Sequence, residues 1–384
     1  MAIQDYEIGA EPKPISDVNI EFGDDVSRML YEAAKQTYEN RPGAVVEMHQ
    51  SFSGLRALRP DYKPADCFES MGSDGIGTKV EIAERLEDHS TVAFDLLAMA
   101  CDDAVVRGAE PIAINTVLDV NKLLENDVLT STALKQMALG YVAASKAAGV
   151  VILNGETAEL GDRINGYGRF NYNWCATVLW YAQKDRLLTG HQIEPGDVLV
   201  GLTEKGFRSN GITDVRKGLL EAYGPNWHNE IMSELGSVSL GRLVQEPSTI
   251  YSKLITELTG GYDIGKHPKA KVSGVASITG GGQPSKLARM LEPSGYGALI
   301  DDPISPPKIM KHVQGLRGFS DKEAYGKWHM GPGMIVATPE PLLVTNEAKK
   351  QGVEAKMIGA VTAEPTIRIK NQGAIQEDEY LKFN

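Results

Sequence analysis

The order of apolar and polar positions divides the chain into helical and extended segments. After a polar lead, Asp24 to Asn40 carries apolar residues at helical spacing and stops at Arg41-Pro42-Gly43, which predicts a first helix. Cys67 to Met71 reads as a short strand entering the loop Gly72-Ser73-Asp74-Gly75-Ile76-Gly77-Thr78-Lys79. Thr91 to Gly108 is a mostly apolar helix, followed by a strand from Ile112 to Leu118. Val128 to Ala148 has helical spacing with Gly149 placed to close it. Val150 to Leu153 reads as a buried strand that delivers Asn154-Gly155-Glu156-Thr157.

Phe170 to Trp180, rich in aromatic and β-branched residues, reads as a strand, and Lys184 to Gly196 is polar and turn-forming. The domain boundary is placed there, which gives an N-terminal domain over 1–185 and a C-terminal domain over 186–384. A second series follows: a strand Val198 to Leu202, a loop Glu204 to Gly211, and helices near Ile212 to Ala222 and Thr249 to Leu258. Strands near Met334 to Ala337 and Met357 to Val361 finish it. Alternating strands and helices in both halves predict layered α/β domains, and no short-period repeat is visible.

Size and charge narrow the function classes. At 384 residues the chain exceeds the length at which one core usually stops growing, and 42% hydrophobic with 23% charged residues is ordinary globular usage. A net charge of -12 argues against a nucleic-acid or anionic-membrane partner, while leaving room for a small anionic substrate held by a local cluster. Cys67, Cys101 and Cys175 lie far apart with no C-x-x-C spacing, so they are expected to be reduced thiols in a cytoplasmic protein. The N-terminal lead lacks the basic-then-apolar order of a signal peptide, and no apolar run approaches the ~18 residues of a membrane span.

Several segments carry candidate chemistry. Asp74-Gly75-Ile76-Gly77-Thr78-Lys79 combines glycines that expose backbone N–H groups, a lysine that neutralises phosphate and a carboxylate suited to a hard cation. A glycine-rich hairpin with solvated charges is the alternative. Gly260-x-x-x-x-Gly265-Lys266 approaches the P-loop pattern but continues with His267, so a turn is expected there. Asp95, Asp102 and Asp103 interrupt an apolar helix, and their offsets place all three near one face. Buried carboxylates need a metal, a cation or hydrogen bonds; otherwise that face is open to solvent. Glu156 and Glu159 follow a buried strand at the edge where α/β proteins bind ligands, and Glu156 is the better ligand candidate. Gly206-Phe207-Arg208-Ser209-Asn210-Gly211 and Thr279-Gly280-Gly281-Gly282 each precede a helix, as anion sites do and as plain tight turns also do.

Taken in one collinear order, these segments resemble the aminoimidazole ribonucleotide synthetase family from about Asp17 to Val361. The matching stretches are DGIGTK from Asp74, FDLLAMACDDAVVRGAEP from Phe94, NGETAEL from Asn154, GFRSNGITDVRK from Gly206, EPSTIY from Glu246, SITGGG from Ser277 and GPGM from Gly331. The resemblance implies a two-domain α/β subunit of the PurM-like fold, whose N-terminal mixed sheet pairs across a homodimer. It implies ATP and magnesium (Mg2+) as cofactors, and a reaction that converts formylglycinamidine ribonucleotide and ATP to aminoimidazole ribonucleotide, ADP and phosphate. Carried over residue by residue, ATP is expected at Asp74, Gly75, Gly77, Thr78, Lys79, Asp95, Asp102, Asn154, Gly155, Glu156 and Thr157. Asp74, Asp103 and Glu156 are the expected metal ligands, with Asp95 and Asp102 orienting them or a lysine. Lys79, Asp103 and Arg208 are expected to be catalytic. The ribonucleotide is expected at Arg208, Ser209, Asn210 and Gly211 and at Thr279, Gly280, Gly281 and Gly282, with Arg208 and Ser209 reaching its phosphate. Arg216 and Lys217 are ambiguous, since a charged helix face is usually solvated.

The chain departs from the family at places that bear on the acceptor. Arg208 and Ser277 stand where the family has histidines, Glu47 to Gly54 is nearly glycine-free where the family is glycine-rich, and Tyr325 to His329 replaces an Arg and an Asn. His49 and His329 are candidate replacements, as imidazoles that titrate near neutral pH, against the commoner structural role. Two alternatives follow: a sibling of the same ATP-binding superfamily that phosphorylates another acceptor, and a nucleotide-binding homologue without catalysis.

Overall fold

The computed structural model describes residues 20–47, 55–124 and 127–383. His49 and most of the glycine-poor stretch lie outside them. The first half contains α1 (Ile20–Gln36), a two-stranded antiparallel pair of β1 (Val45–Glu47) and β2 (Arg56–Leu58), β3 (Cys67–Gly75), α2 (Val80–Leu86), α3 (Val92–Val105), β4 (Glu110–Val120), α4 (Val128–Ala148), β5 (Val151–Glu159) and β6 (Tyr172–Gln183). Strands β3, β6, β4 and β5 form a mixed sheet in that order, antiparallel except for the β4–β5 pair.

One face of this sheet carries the core. Leu96, Leu97 and Ala100 of α3 and Met137 and Tyr141 of α4 pack on Ile114, Trp174 and Val178. The opposite face is more open, with Val117 and Met71 exposed. The α4 helix closes at Gly149 with φ +72°, as the sequence predicts, and at its start the Asp127 carboxylate accepts the Thr130 N–H.

Two strands run further than hydrophobic patterning suggests. β3 continues through Gly75, so Gly72 to Gly75 belong to the sheet, and Gly77–Lys79 form a 3-10 turn before α2. Likewise β5 includes Asn154 to Glu159, which therefore lie on the strand rather than beyond it. Polar residues are tolerated there because ladder hydrogen bonds to the neighbouring strand satisfy the backbone whatever the side chain.

The second half contains β7 (Val198–Thr203), α5 (Ile212–Tyr223), α6 (Leu240–Gln245), α7 (Ser252–Thr259), β8 (Gly274–Ser277), α8 (Gly282–Leu291), β9 (Gly297–Ile300), α9 (Lys308–Arg317), α10 (Asp321–Lys327), β10 (Pro332–Thr338), α11 (Pro341–Lys350), β11 (Ala355–Thr362), β12 (Ile367–Lys370) and β13 (Tyr380–Phe383). Its strands form a seven-stranded sheet in the order β13-β12-β9-β11-β7-β10-β8. Both faces are covered. Leu199, Ile335 and Ala337 join one core with Val215, Leu219, Leu287 and Val313 of α5, α8 and α9. The alternate residues Val200, Leu202, Met334 and Val336 join another with Leu254 and Leu258 of α7 and Val344 of α11. This explains why β10 is buried along its whole length and reads as an unbroken apolar run. Among the described residues no helix is long and apolar enough to cross a membrane.

Candidate functional site

The seam between the two halves is built around two buried cations. Lys79, 2% exposed at the start of α2, places its ammonium 2.7 Å from Asp95 Oδ1, 2.6 Å from the Phe207 carbonyl and 2.7 Å from the Glu246 carbonyl. An ammonium has three protons, and all three have acceptors. The Asp95 oxygen also accepts the Ser248 N–H at 3.0 Å and its hydroxyl at 2.6 Å. Arg208, also 2% exposed, donates through Nη2 to Asp102 at 2.9 Å and through Nη1 to Glu204 at 3.1 Å. The second Asp102 oxygen accepts the Tyr251 N–H at 2.9 Å. Burial works against the Arg208 charge, but Asp102 and Glu204 outweigh it and hold the guanidinium firmly charged. Burial pushes Asp102 up to about 7 despite the pull of Arg208, and it raises Glu204 in the same way.

These partners answer the question posed by three aspartates in one apolar helix. Asp95 receives the Lys79 cation from its own half and the Ser248 hydrogen bonds from the other, Asp102 receives Arg208 and the Tyr251 N–H from the other half, and Asp103 is exposed. They also revise two expected roles. Lys79 and Arg208 face protein groups, so in this arrangement they fix the two halves together and do not offer their charge to a phosphate. Glu204 and Ser248 complete the network and were not singled out by motif. The signal for them was the rule that each buried carboxylate needs a partner and each buried cation a counterion.

The two glycine-rich loops of the second half do meet. A Cβ placed on Gly280 would lie 3.4 Å from Asn210 Nδ2. Gly282, at φ +60° and packed against the Tyr325 carbonyl, has no room for any side chain. Helices α5 and α8 both start here, behind Gly211 and Gly281, without a side-chain cap. Ser209 Oγ, Asn210 Oδ1 and Ser277 Oγ are buried without a hydrogen-bond partner. Uncapped helix starts beside orphaned polar atoms form a cradle suited to an anionic ligand. Thr279 lies in the same wall.

His329 is occupied structurally. It is 3% exposed, accepts the Gly331 N–H at Nδ1 (3.1 Å) and donates from Nε2 to the Gly206 carbonyl at 2.7 Å. Burial lowers its pKa to about 4, so the imidazole is neutral and both nitrogens are used. The charged residues of α5 are ordinary too: Arg216 pairs with Glu81, and Lys217 is exposed near Glu221.

The expected metal ligands separate into two places. Asp74 pairs with Ala176, Ala176 with Thr116, and Thr116 with Gly155, so this row of residues shares one face of the sheet. Tyr141 of α4 donates to Thr116 on that face. The next row, Gly75, Cys175, Val117 and Glu156, points the other way. Glu156 is therefore on the opposite face from Asp74 and three strand spacings away, about 14 Å. Asp74 and Asp103 are close enough to feel each other: burial raises Asp74, the Gly75 N–H opposes this, and the Asp103 charge raises it further. Among the described residues no group of three His, Cys, Asp or Glu is disposed to hold a metal ion.

Asn154, Gly155, Glu156 and Thr157 instead line a cavity of about 340 Å3 between α1 and the sheet. Trp174 forms part of its wall, with a buried Nε1–H that has no acceptor, and Arg56 donates to Asn154 Oδ1 at 3.0 Å. Thr78, by contrast, bridges the halves through Thr213. The Gly260-to-Lys266 segment is a turn, as expected, and its carbonyls explain why it holds no phosphate. Those of Gly260, Gly261, Asp263 and Lys266 converge on the Arg186 guanidinium, where a phosphate loop would present N–H groups.

Two family models match the chain in order. Residues 64–177 match the family model "AIR synthase related protein, N-terminal domain", and residues 194–371 match the corresponding C-terminal domain. Phosphoribosylformylglycinamidine cyclo-ligase of Pyrococcus furiosus is 30% identical over 354 residues, 90% of this chain and 93% of the relative. The protein of the same name from Shouchella clausii is 35% identical over 297 residues, 76% of this chain and 79% of the relative. In fold, the chain is similar to thiamine-monophosphate kinase from Stenotrophomonas maltophilia, with TM-score 0.60 at 13% identity over 90% of this chain and 97% of that one. It is also similar to T. maritima PurL complexed with AMPPCP, with TM-score 0.51 at 14% identity over 94% of this chain and 49% of that one.

Proposed function

Because the chain belongs to the AIR synthase related family, we propose that it is an ATP-dependent cyclo-ligase of purine biosynthesis, converting formylglycinamidine ribonucleotide to aminoimidazole ribonucleotide, ADP and phosphate. The observation that carries this reading is the similarity to cyclo-ligases over nine-tenths of the chain, with both family domains present in order. A sibling with another acceptor or a homologue without catalysis is not favoured.

In the reaction, ATP phosphorylates the formyl oxygen, and a nitrogen of the same substrate then displaces phosphate as the ring closes. The nucleotide is assigned to the cavity beside Asn154, Gly155, Glu156 and Thr157, where the unpaired Trp174 N–H supplies a polar contact. The ribonucleotide is assigned to the cradle of Ser209, Asn210, Gly211 and Thr279 to Gly282, whose unpaired Ser209 and Asn210 oxygens would orient it. Magnesium takes one or two carboxylates and completes its shell with water and phosphate oxygens, so Asp74 and Asp103 suit it without Glu156. When bound, it would offset charge on the transferring phosphoryl group. Lys79, Asp95, Asp102 and Arg208 act as positioning residues that hold the two halves in register. The domains are divided at 185/186, between the last strand of the first sheet at Gln183 and the first of the second at Val198.

A second copy of the chain is assigned to the open face of the first sheet, where Met71 and Val117 are exposed at 61% and 44%. Three free cysteines fit a reducing cytoplasm. The chemistry is tested by placing 18O in the formyl group of the substrate. Label recovered in inorganic phosphate supports phosphorylation of that oxygen, and label recovered only in water rules it out.

A further inference from the structure

A cavity of about 190 Å3 opens where the end of α3, the linker Leu188 to Gly190, and β8 with α8 come together. Arg107, Lys286 and Arg289 line it, and Asp103 is the one carboxylate in its wall. Among the described residues neither Lys286 nor Arg289 has an ion-pair partner within 4.0 Å, and the hydrogen bond of Arg107 goes to the Asp103 carbonyl at 2.6 Å. Lys286 is half-buried. Burial lowers its pKa, the charges of Arg289 and Arg107 push the same way, and Asp103 and Asp74 restore it only in part. Lys286 is the half-buried member of the cluster, Arg107 and Arg289 are exposed, and the single carboxylate of Asp103 faces three cations, so a bound anion would balance the excess positive charge.

Two further features point at an anion. Ser277 Oγ lines the cavity, on a residue 5% exposed, and has no hydrogen-bond partner. β8 is the outermost strand of its sheet, so alternate backbone groups along Gly274–Ser277 face away from β10 and toward this cavity. The volume suits a phosphate with part of a sugar, since pockets for complete drug-sized ligands are about 300–1,000 Å3. Ser277 also leads directly into Thr279 and Gly280, so the cavity adjoins the cradle formed by the two glycine loops.

We propose that this cavity is a phosphate-monoester site in which Arg107, Lys286 and Arg289 hold the 5′-phosphate of the ribonucleotide and Ser277 Oγ donates a hydrogen bond to it. The cavity takes over the role expected of Arg208, whose guanidinium is committed to Asp102 and Glu204. The identity of the ligand rests on the proposed function; the presence of a phosphate site does not.

The test is calorimetric titration of the full chain with inorganic phosphate and with ribose 5-phosphate, in EDTA so that no divalent ion bridges ligand and carboxylates. Lys286→Met and Arg107→Gln are each expected to weaken both ligands about tenfold or more, the loss of a charge-assisted hydrogen bond. Lys135→Met, on α4 and outside this wall, is expected to bind as the wild type does. ATP added without magnesium is expected not to displace ribose 5-phosphate. In turnover, Lys286→Met is expected to raise KM for the ribonucleotide more than it lowers kcat. Wild-type affinity in both cavity variants, absence of phosphate binding to the wild type, or stoichiometric displacement by ATP would each overturn the site. Turnover of formylglycinamidine ribonucleotide with unaltered KM in both variants would overturn the site alone. Phosphate binding that follows the predicted pattern without any turnover would instead overturn the proposed function and leave the site standing.

Discussion

Replacing Lys79 by methionine removes the ammonium while keeping most of its volume, so it isolates the charge at the seam. In the wild type that ammonium bonds Asp95, Phe207 and Glu246, and both participants in the ion pair are 2% exposed by side chain. Methionine would leave the Asp95 carboxylate with only Ser248 as donor and would leave two backbone carbonyls without their donor. Removing one member of a buried ion pair typically costs about 3–5 kcal/mol, and that is the loss expected in urea denaturation. Since the two carbonyls belong to the second half of the chain, the variant should also show less cooperative unfolding of the two halves. Adding Asp95→Asn removes the stranded charge, so the double variant should lose less than the sum of the singles, with coupling of about 2 kcal/mol. Stability within about 1 kcal/mol of wild type, with turnover down about a thousandfold, would refute this assignment and return Lys79 to phosphate contact.

The remaining predictions concern other parts of the same seam. His329 titrates at about 4 in the folded chain and near 6.5 when unfolded, a depressed value, so its contribution is complete above pH 6.5 and is lost as the pH falls toward 4. That contribution is about 3 kcal/mol, and His329→Gln should flatten the stability profile across this window; His89, lowered the same way, supplies a parallel term. Arg208→Met should destabilise by about 3–5 kcal/mol at pH 8. Asp102 already stands near 7 and rises further without the arginine, so the variant should be less impaired at pH 5, where the Asp102 carboxyl is protonated. Gly282→Ala should fail to fold or lose several degrees in Tm, because its Cβ would collide with the Tyr325 carbonyl; Gly280→Ala, with 3.4 Å to Asn210, should fold and raise the ribonucleotide KM.

The layered fold was legible because long apolar segments of helical length, as in α3 and α4, alternate with short unbroken apolar runs such as β10, which is covered on both faces. The ends of β3 and β5 were not, because Ser73-Asp74-Gly75 and Asn154 to Glu159 are polar and only their backbone pairing keeps them in the sheet. The three aspartates of α3 could be recognised as needing partners, but which cation served which carboxylate depended on how two distant segments dock. The separation of Glu156 from Asp74 was equally hidden, since strand order and side-chain parity decide it and neither is local in sequence. Lys286 and Arg107 carry no motif; only the meeting of α8 and the end of α3 around one cavity brings them together.

Cyclo-ligase activity is measured by incubating the purified full chain with magnesium, ATP and formylglycinamidine ribonucleotide while following phosphate and aminoimidazole ribonucleotide together. Phosphate is expected to appear only when the ribonucleotide is present and to match the imidazole product one for one. ATP binding without product, or phosphate release that is indifferent to the ribonucleotide, would contradict it.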